Sequence, residues 1–366
     1  MKVDFLIIGQ GIAGTVMSYT LLNQGKKVLV IDDNPANNAT KVAAGICNPI
    51  TGRKLVKTWL ADQIFPFLKS FYQNLANELG CNFLRPIPIY RPFRSLEEQN
   101  EWFGRSADEN WRTFINTDVE NERFAKLLDN PMGGWETKQS YQIDTELLIN
   151  SYQDYLIEKG MYQESKFDWK ELQIFDNQVY WQNITASKVI FCEGIQALQN
   201  PFFNWLPFNP VKGEWIKIKV EKQARPLESI INQGVFILPL TDTIWQVGAT
   251  YHWGDMGENT TELAQKELLD KLNDLLKIPF EVIEQKAGVR PATQQRRPFI
   301  GLHPIYPQLG IFNGLGTKGI SLAPYLAQSF ADFLDNANLF PLNNEVNIQK
   351  YYHLCPKNIN LVFLTK

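Results

Sequence analysis

Val3-Asp4-Phe5-Leu6-Ile7-Ile8-Gly9-Gln10-Gly11-Ile12-Ala13-Gly14 joins a β-branched and aromatic run of strand length to a glycine-rich loop. Near-continuous apolarity is what a parallel strand covered on both faces requires, so residues 3–8 should form a central strand. Ile12, Val16, Tyr19 and Leu22 then recur at helical spacing as far as Gly25, a helix stop. Lys27-Val28-Leu29-Val30-Ile31-Asp32 supplies a second strand, ending in a carboxylate eighteen positions after Gly14, with Asp33 beside it.

Strand, glycine loop, helix, strand and acid in this order form an adenine-dinucleotide fingerprint. Gly9 permits the tight turn, Gly11 lets the backbone approach a pyrophosphate, and Gly14 lets helix and strand pack closely. The unpaired N–H groups and partial positive charge of the helix start stabilise the phosphates. Gln10, Ile12 and Ala13 complete the loop, and Asp32, with Asp33 next to it, accepts hydrogen bonds from ribose hydroxyls. The same glycines would also suit a plain βαβ crossover.

A second glycine-rich turn lies near the other end. Ile311-Phe312-Asn313-Gly314-Leu315-Gly316-Thr317-Lys318-Gly319-Ile320 reads as a short strand, a turn and a helix start. Ala323, Leu326, Ala327, Phe330 and Leu334 give that helix one apolar face, and Pro324 is tolerated if it falls in the first turn. Such a helix start would point at something anionic, and an ordinary glycine-rich loop before an amphipathic helix would show the same residues.

Composition narrows the classes. A chain of 366 residues favours two domains, and 44% hydrophobic with 20% charged residues is globular. A net charge of −3 disfavours a broad nucleic-acid-binding face. Cys47, Cys81, Cys192 and Cys355 show no metal-ligand or redox spacing, so no metal is expected and a reducing cytoplasm fits. No apolar run reaches the ~18 residues of a membrane span.

Taken together, these blocks make the chain resemble the D-amino-acid oxidase family of FAD enzymes, which includes glycine oxidase and sarcosine oxidase. The resemblance runs through residues 1–335. Besides the two glycine turns, it is carried by Lys41-Val42-Ala43-Ala44-Gly45-Ile46, Val211-Lys212-Gly213-Glu214, Val247-Gly248-Ala249-Thr250, Gly288-Val289-Arg290-Pro291 and Pro298-Phe299-Ile300-Gly301. It implies FAD rather than NAD. It places Ala44, Gly45 and Ile46 beside the isoalloxazine ring, Phe167 towards the adenine side, and Cys192 and Gly194 on the FAD-binding strand. Gly314, Gly316, Thr317, Lys318, Gly319 and Ile320 would cup the flavin, with Lys318 favouring its reduced, anionic form. Members that attach FAD covalently use a Cys near the Pro-x-Ile-Gly block. Here Gln294-Gln295-Arg296-Arg297-Pro298 stands there, so attachment should be non-covalent.

The resemblance also assigns Arg290 to the substrate carboxylate, as a guanidinium fork. Pairing with an internal acid such as Glu214 is the alternative. Phe236 stands where glycine oxidase-like members have a substrate-contacting Tyr, and Tyr251 follows Gly-Ala-Thr at the cleft. His252 is not assigned as a base, and Arg296 with Arg297 reads as a solvated surface pair. The expected activity is oxidation of a C–N bond in an amine, a D-amino acid or an N-substituted glycine, with oxygen or another electron acceptor. The turn at 316–319 is also similar to that in the FAD domain of a bifunctional tRNA wobble-uridine modification enzyme. On that alternative the substrate is a carboxymethylated uridine on tRNA, and Arg53, Lys54 and Lys57 contact phosphates. A flavin-binding scaffold without turnover stays open as well.

The expected fold class is therefore α/β and α+β, with a Rossmann-like FAD-binding domain (1–82, 138–208 and 286–340) interleaved with an antiparallel-sheet substrate domain (83–137 and 209–285). Residues 341–366 form a C-terminal tail. A hairpin is expected over 235–248 and a helix over 144–160.

Overall fold

Lys2–Ile8 lies between Val28–Asp32 and Ile184–Phe191, paired with both in parallel. Its apolar run is continuous because alternate residues feed two cores. Phe5 and Ile7 pack among helices, whereas Val3, Leu6 and Ile8 pack with Phe167, Trp181 and Phe202. Tyr162–Glu164 extends the parallel sheet beyond Val28–Asp32, and Leu309–Asn313 extends it beyond Ile184–Phe191. The computed structural model describes residues 1–35, 38–51, 56–116, 118–223 and 225–357.

The first crossover helix, Ile12–Asn23, is followed by Gly25 at φ +75°. Ala61–Leu79, Thr145–Glu158 and Gly319–Asp335 join it on one face of the sheet and share one hydrophobic core. Ile348–Leu354 sets Ile348 and Tyr351 into the opposite core, with the Tyr351 ring 5.5 Å from Phe299.

A second, nine-stranded sheet is mostly antiparallel. Its axis is Val211–Val220, which pairs with Phe280–Arg290 along one edge and with Ile244–Gly248 and His252–Trp253 along the other. Val235–Pro239 and Ile244–Gly248 form the expected hairpin. Ile216, Ile218, Trp245 and Val247 turn inward against Leu268 and Leu272 of helix Glu262–Asn273. Lys217, on the outer side of its strand, meets Glu284 at 2.6 Å.

Pro324 departs from the expected position. It is the sixth residue of Gly319–Asp335 rather than part of the first turn, so the Ile320 carbonyl has no N–H four residues on. The Tyr72 hydroxyl, fully buried on helix Ala61–Leu79, donates to that oxygen at 2.7 Å. Packing against a neighbouring helix thus satisfies what the proline removes.

Among the described residues no helix is long and apolar enough to cross a membrane, and no group of His, Cys, Asp and Glu is placed to hold a metal ion. All four cysteines are free thiols.

Replacing Tyr72 with Phe leaves the Ile320 carbonyl buried and unpaired, so Tyr72→Phe should cost about 1–3 kcal/mol in denaturant-induced unfolding. An unchanged midpoint and slope would show that the carbonyl finds another donor.

Candidate active site

A cavity of about 740 Å³ runs from the C-terminal ends of the parallel strands to the face of the antiparallel sheet. At the strand ends, Gly9 takes φ +97°, and a Cβ there would lie 2.6 Å from the Cys192 carbonyl oxygen. Gly11, the helix N-cap, offers no side chain, so the start of helix Ile12–Asn23 opens onto the cavity through Gly11, Ile12 and Ala13. The Ile12 N–H donates to Thr40 Oγ1 at 3.0 Å.

Gln10 and Gly14, both expected among the ligand contacts, do not line the cavity. The buried Gln10 side chain turns away to donate to Thr15 Oγ1 (3.2 Å) and the Ile149 carbonyl (3.1 Å). Gln10 contributes its backbone N–H, 2.6 Å from Asp32 Oδ2. Gly14 lies behind the loop, where a Cβ would stand 1.8 Å from the Gly9 carbonyl oxygen. Its part is close packing.

Asp32 and Asp33 line the cavity beside this loop. Burial raises the Asp32 pKa above the ordinary carboxylate value, and the N–H groups of Gln10 and Asn34 partly offset that rise. Phe167, Cys192 and Gly194 form the facing wall, with Phe167 stacked on Trp181 at 4.9 Å. Glu193, between Cys192 and Gly194, lines it too. Glu193 accepts from Trp169 Nε1 (2.9 Å) and Asn200 Nδ2 (2.7 Å), and burial pushes its pKa up to about 7.

Ala44, Gly45 and Ile46 form another part of the wall. Gly45 takes φ +70° where a Cβ would stand 1.8 Å from the Ile143 carbonyl oxygen. Opposite comes the C-terminal turn, with Gly316, Thr317, Lys318, Gly319 and Ile320 all lining the cavity. Gly314 does not. At φ +74° it bends the chain, and a Cβ would lie 2.7 Å from Thr293 Cγ2.

Lys318 Nζ donates to Thr51 Oγ1 (2.9 Å) and Thr58 Oγ1 (2.8 Å). Burial, helped by the nearby charge of Arg297, lowers its pKa to about 8. Sequence reading missed both threonines because nothing local links them to a lysine some 260 residues away. Arg297 also corrects an expectation. Arg296 is exposed, but Arg297 is half-buried, pairing with Glu345 at 2.7 Å and lying over the Trp59 ring at 4.6 Å.

Arg290 ends strand Phe280–Arg290 at the far part of the cavity. Its guanidinium fills the space that a side chain at Gly213 would need, since a Cβ there would lie 1.9 Å from Nη2. Nη1 donates to the Thr250 carbonyl at 3.3 Å, and the Tyr251 ring lies 5.3 Å from Cζ. Glu214 is not its partner. That carboxylate accepts from Thr261 N (2.8 Å), Thr261 Oγ1 (2.9 Å) and Gln285 Nε2 (2.9 Å), with Lys212 Nζ 3.5 Å away. Among the described residues Arg290 has no ion pair. Burial lowers its pKa, yet a guanidinium stays charged.

Phe236 and Tyr251 line the same region. Trp215 joins them, its Nε1 fixed to the Val42 carbonyl at 2.6 Å. Alternation along its strand was its only sequence signal. His252 points elsewhere, its Nε2 2.9 Å from Glu267 Oε2.

A cavity with a glycine-walled helix start at one end, a second glycine turn midway and a cation beyond it defines a dinucleotide-dependent enzyme. Residues 4–333 match the family model described as FAD dependent oxidoreductase (DAO), and the chain belongs to that family. Iminodiacetate oxidase (IdaA) from Chelativorans sp. BNC1 shares the fold with a TM-score of 0.74 at 23% identity, over 95% of this chain and 98% of that one. Glycine oxidase from Geobacillus kaustophilus gives 0.75 at 18% identity, over 94% and 99%. The tRNA 5-methylaminomethyl-2-thiouridine biosynthesis bifunctional protein MnmC of Hahella chejuensis is 25% identical over 91% of this chain and 56% of its own length. The chain spans about half the length of the first curated relatives it matches. FAD is the cofactor, and the cavity fits it: the backbone at Gly11 is bare, the helix start opens onto the space, and Asp32 stands at its edge.

The lowered Lys318 value sets a pH dependence. Between about pH 8 and the ordinary lysine value of 10.5, the unfolded chain keeps a proton that the folded chain has released. This group's contribution to stability therefore rises with pH across that window. Lys318→Met lacks the titration, so the melting-temperature gap between it and the wild type should shift in the wild type's favour from pH 8 to 10.5. A constant gap in thermal melts would show that Lys318 titrates normally.

Proposed function

We propose that the protein oxidises the carbon–nitrogen bond of a carboxylate-bearing amine, a D-amino acid or an N-substituted glycine, with Arg290 holding the carboxylate. The observation that carries this reading is a guanidinium at the cavity wall whose one hydrogen bond to the described residues is to the Thr250 carbonyl. Its remaining donors suit a carboxylate fork.

On this reading Gly9, Gly11, Ile12, Ala13 and Asp32 hold the ADP half of a non-covalently bound FAD. Ala44, Gly45, Ile46 and the turn at 316–320 border its ring. Residues 1–82, 138–208 and 286–340 make up the cofactor domain and 83–137 with 209–285 the substrate domain. Residues 341–366 make up the tail. Bound FAD supplies the acceptor for the hydride that leaves the substrate Cα.

The protein's own part is orientation. Arg290 fixes the carboxylate, and the Phe236, Trp215 and Tyr251 rings form apolar walls that favour a neutral amine and limit water. No side chain is assigned as a base, because an amine that arrives neutral needs only correct placement. The substrate loses two electrons and the hydrogens of its Cα–H and N–H. Water then hydrolyses the imine to an oxo acid and an amine. Oxygen or another acceptor takes the electrons onward.

Likeness to MnmC over 91% of the chain favours a second reading, removal of a carboxymethyl group from a modified uridine on tRNA. Its electrostatic support is thin. Lys57 is paired with Asp62 at 2.8 Å, and Arg53 and Lys54 lie outside the described residues. We rank the small-molecule reading first.

An anaerobic screen of N-alkyl glycines, D-amino acids and modified or unmodified tRNA tests both readings. Bleaching of the flavin by a carboxylated small amine is expected, bleaching by modified tRNA alone would favour the second reading, and bleaching by none would refute both. Arg290→Ala should raise the apparent KM ~100-fold or more with FAD retained, as expected when a charged pair loses one member. Gly213→Ala, by displacing the guanidinium, should move KM in the same direction. A normal KM in both variants would take Arg290 out of the pocket.

A further inference from the structure

We infer that the substrate carries a planar aromatic ring on its nitrogen and that this ring stacks at the cavity mouth on Tyr251 and Trp253. The inference rests on Arg290 being the carboxylate anchor.

Strand register sets the geometry. Val211 pairs with Arg290 across one edge of its strand and with Trp253 across the other. Residues directly opposite in an antiparallel sheet project to the same face. Trp253, Val211 and Arg290 therefore stand in one row, on the face where Gly213 and Gly288 line the cavity. Lys212 and its partner His252 project to the other face. The Tyr251 ring lies 5.4 Å from that of Trp253 and 5.3 Å from the Arg290 guanidinium. Guanidinium, phenol and indole thus form a line from the cavity wall to solvent.

The outer part of that line is apolar and open. Tyr251, Trp253 and Met256 are 43%, 46% and 48% exposed, and Tyr251 and Met256 also line the cavity. Large apolar side chains gathered at a cavity mouth mark a contact surface. This one is also held in place. Lys212, 2% exposed, reaches Asp255 Oδ2 at 2.9 Å, and Asp255 Oδ1 accepts from the Gly257 N–H at 2.8 Å. A surface fixed before binding loses little freedom on contact.

A substrate laid along this line has its carboxylate on Arg290 and its Cα turned to the cofactor wall, which leaves the nitrogen substituent to reach the mouth. An arene joined to that nitrogen through one methylene reaches the outer faces of the two rings, which at 5.4 Å pack edge to face against each other. A methyl group in its place reaches neither.

The test compares N-benzylglycine with N-methylglycine on the holoenzyme by anaerobic flavin bleaching. Wild type should favour N-benzylglycine about tenfold or more in kcat/KM, the scale of one or two aromatic contacts. Trp253→Ala should lose about tenfold on N-benzylglycine, mainly through KM, and less than about threefold on N-methylglycine. Trp253→Phe should keep most of the preference. Equal kcat/KM for the two glycines, or an equal loss on both in Trp253→Ala, overturns the aromatic contact and leaves the role of Arg290 standing. Bleaching by D-amino acids alone does the same. Failure of every carboxylated amine to bleach the flavin overturns both.

Discussion

Bare backbone at Gly9 and Gly14 lets three segments meet where side chains would collide. A Cβ at Gly14 would lie 1.8 Å from the Gly9 carbonyl oxygen, and one at Gly9 2.6 Å from that of Cys192. Around this junction the Cys192 N–H donates to Ile8 (2.7 Å) and the Gly9 N–H to Ile31 (2.8 Å), which aligns three parallel strands at their ends. The helix start, Asp32 and the Cys192 wall take their positions from it. Because Leu309–Asn313 pairs with Ile184–Phe191, the second glycine turn is carried to the same place. Without the junction, the cavity would lose the corner from which its walls diverge.

A second constraint is the parity of one strand. Along Val211–Val220, Gly213 faces the cavity and leaves room for Arg290, whereas Lys212 and Glu214 face away into a buried network with Thr261 and Gln285. A one-residue slip in pairing would exchange these faces. Glu214 would then neutralise the cation it now ignores. The register that keeps these groups apart leaves at the wall a positive charge that makes no ion pair among the described residues.

Much of the architecture was legible because it is written in local periodicity. The strand at 3–8, the helix that follows it, the hairpin over 235–248 and the helix within 144–160 all show as spacing of apolar residues and glycine stops. What failed depended on partners distant in the chain. The Gln10 side chain belongs to the fingerprint, yet it turns from the cavity because the Ile149 carbonyl, 139 residues on, accepts from it. Arg297 looked solvent-facing beside Arg296 because Glu345 and Trp59 are invisible from its neighbours. Pro324 sits deeper in its helix than propensity allows because Tyr72 answers the missing donor. That Glu214 does not pair with Arg290 shows only in the strand register, which no pattern of residue types supplies.

The two glycine turns that border the cavity are separated by nearly the whole chain, at residues 9–14 and 314–319. A nascent polypeptide can form the first strand, helix and Asp32 early, but its sheet lacks Phe299–Leu302 and Leu309–Asn313, and the cavity one wall, until the second turn has emerged. Contacts of such long sequence separation form late. Tight capture of the flavin therefore waits for the second turn, and a ribosome stalled between the two turns would hold a chain with an open, half-built nucleotide site.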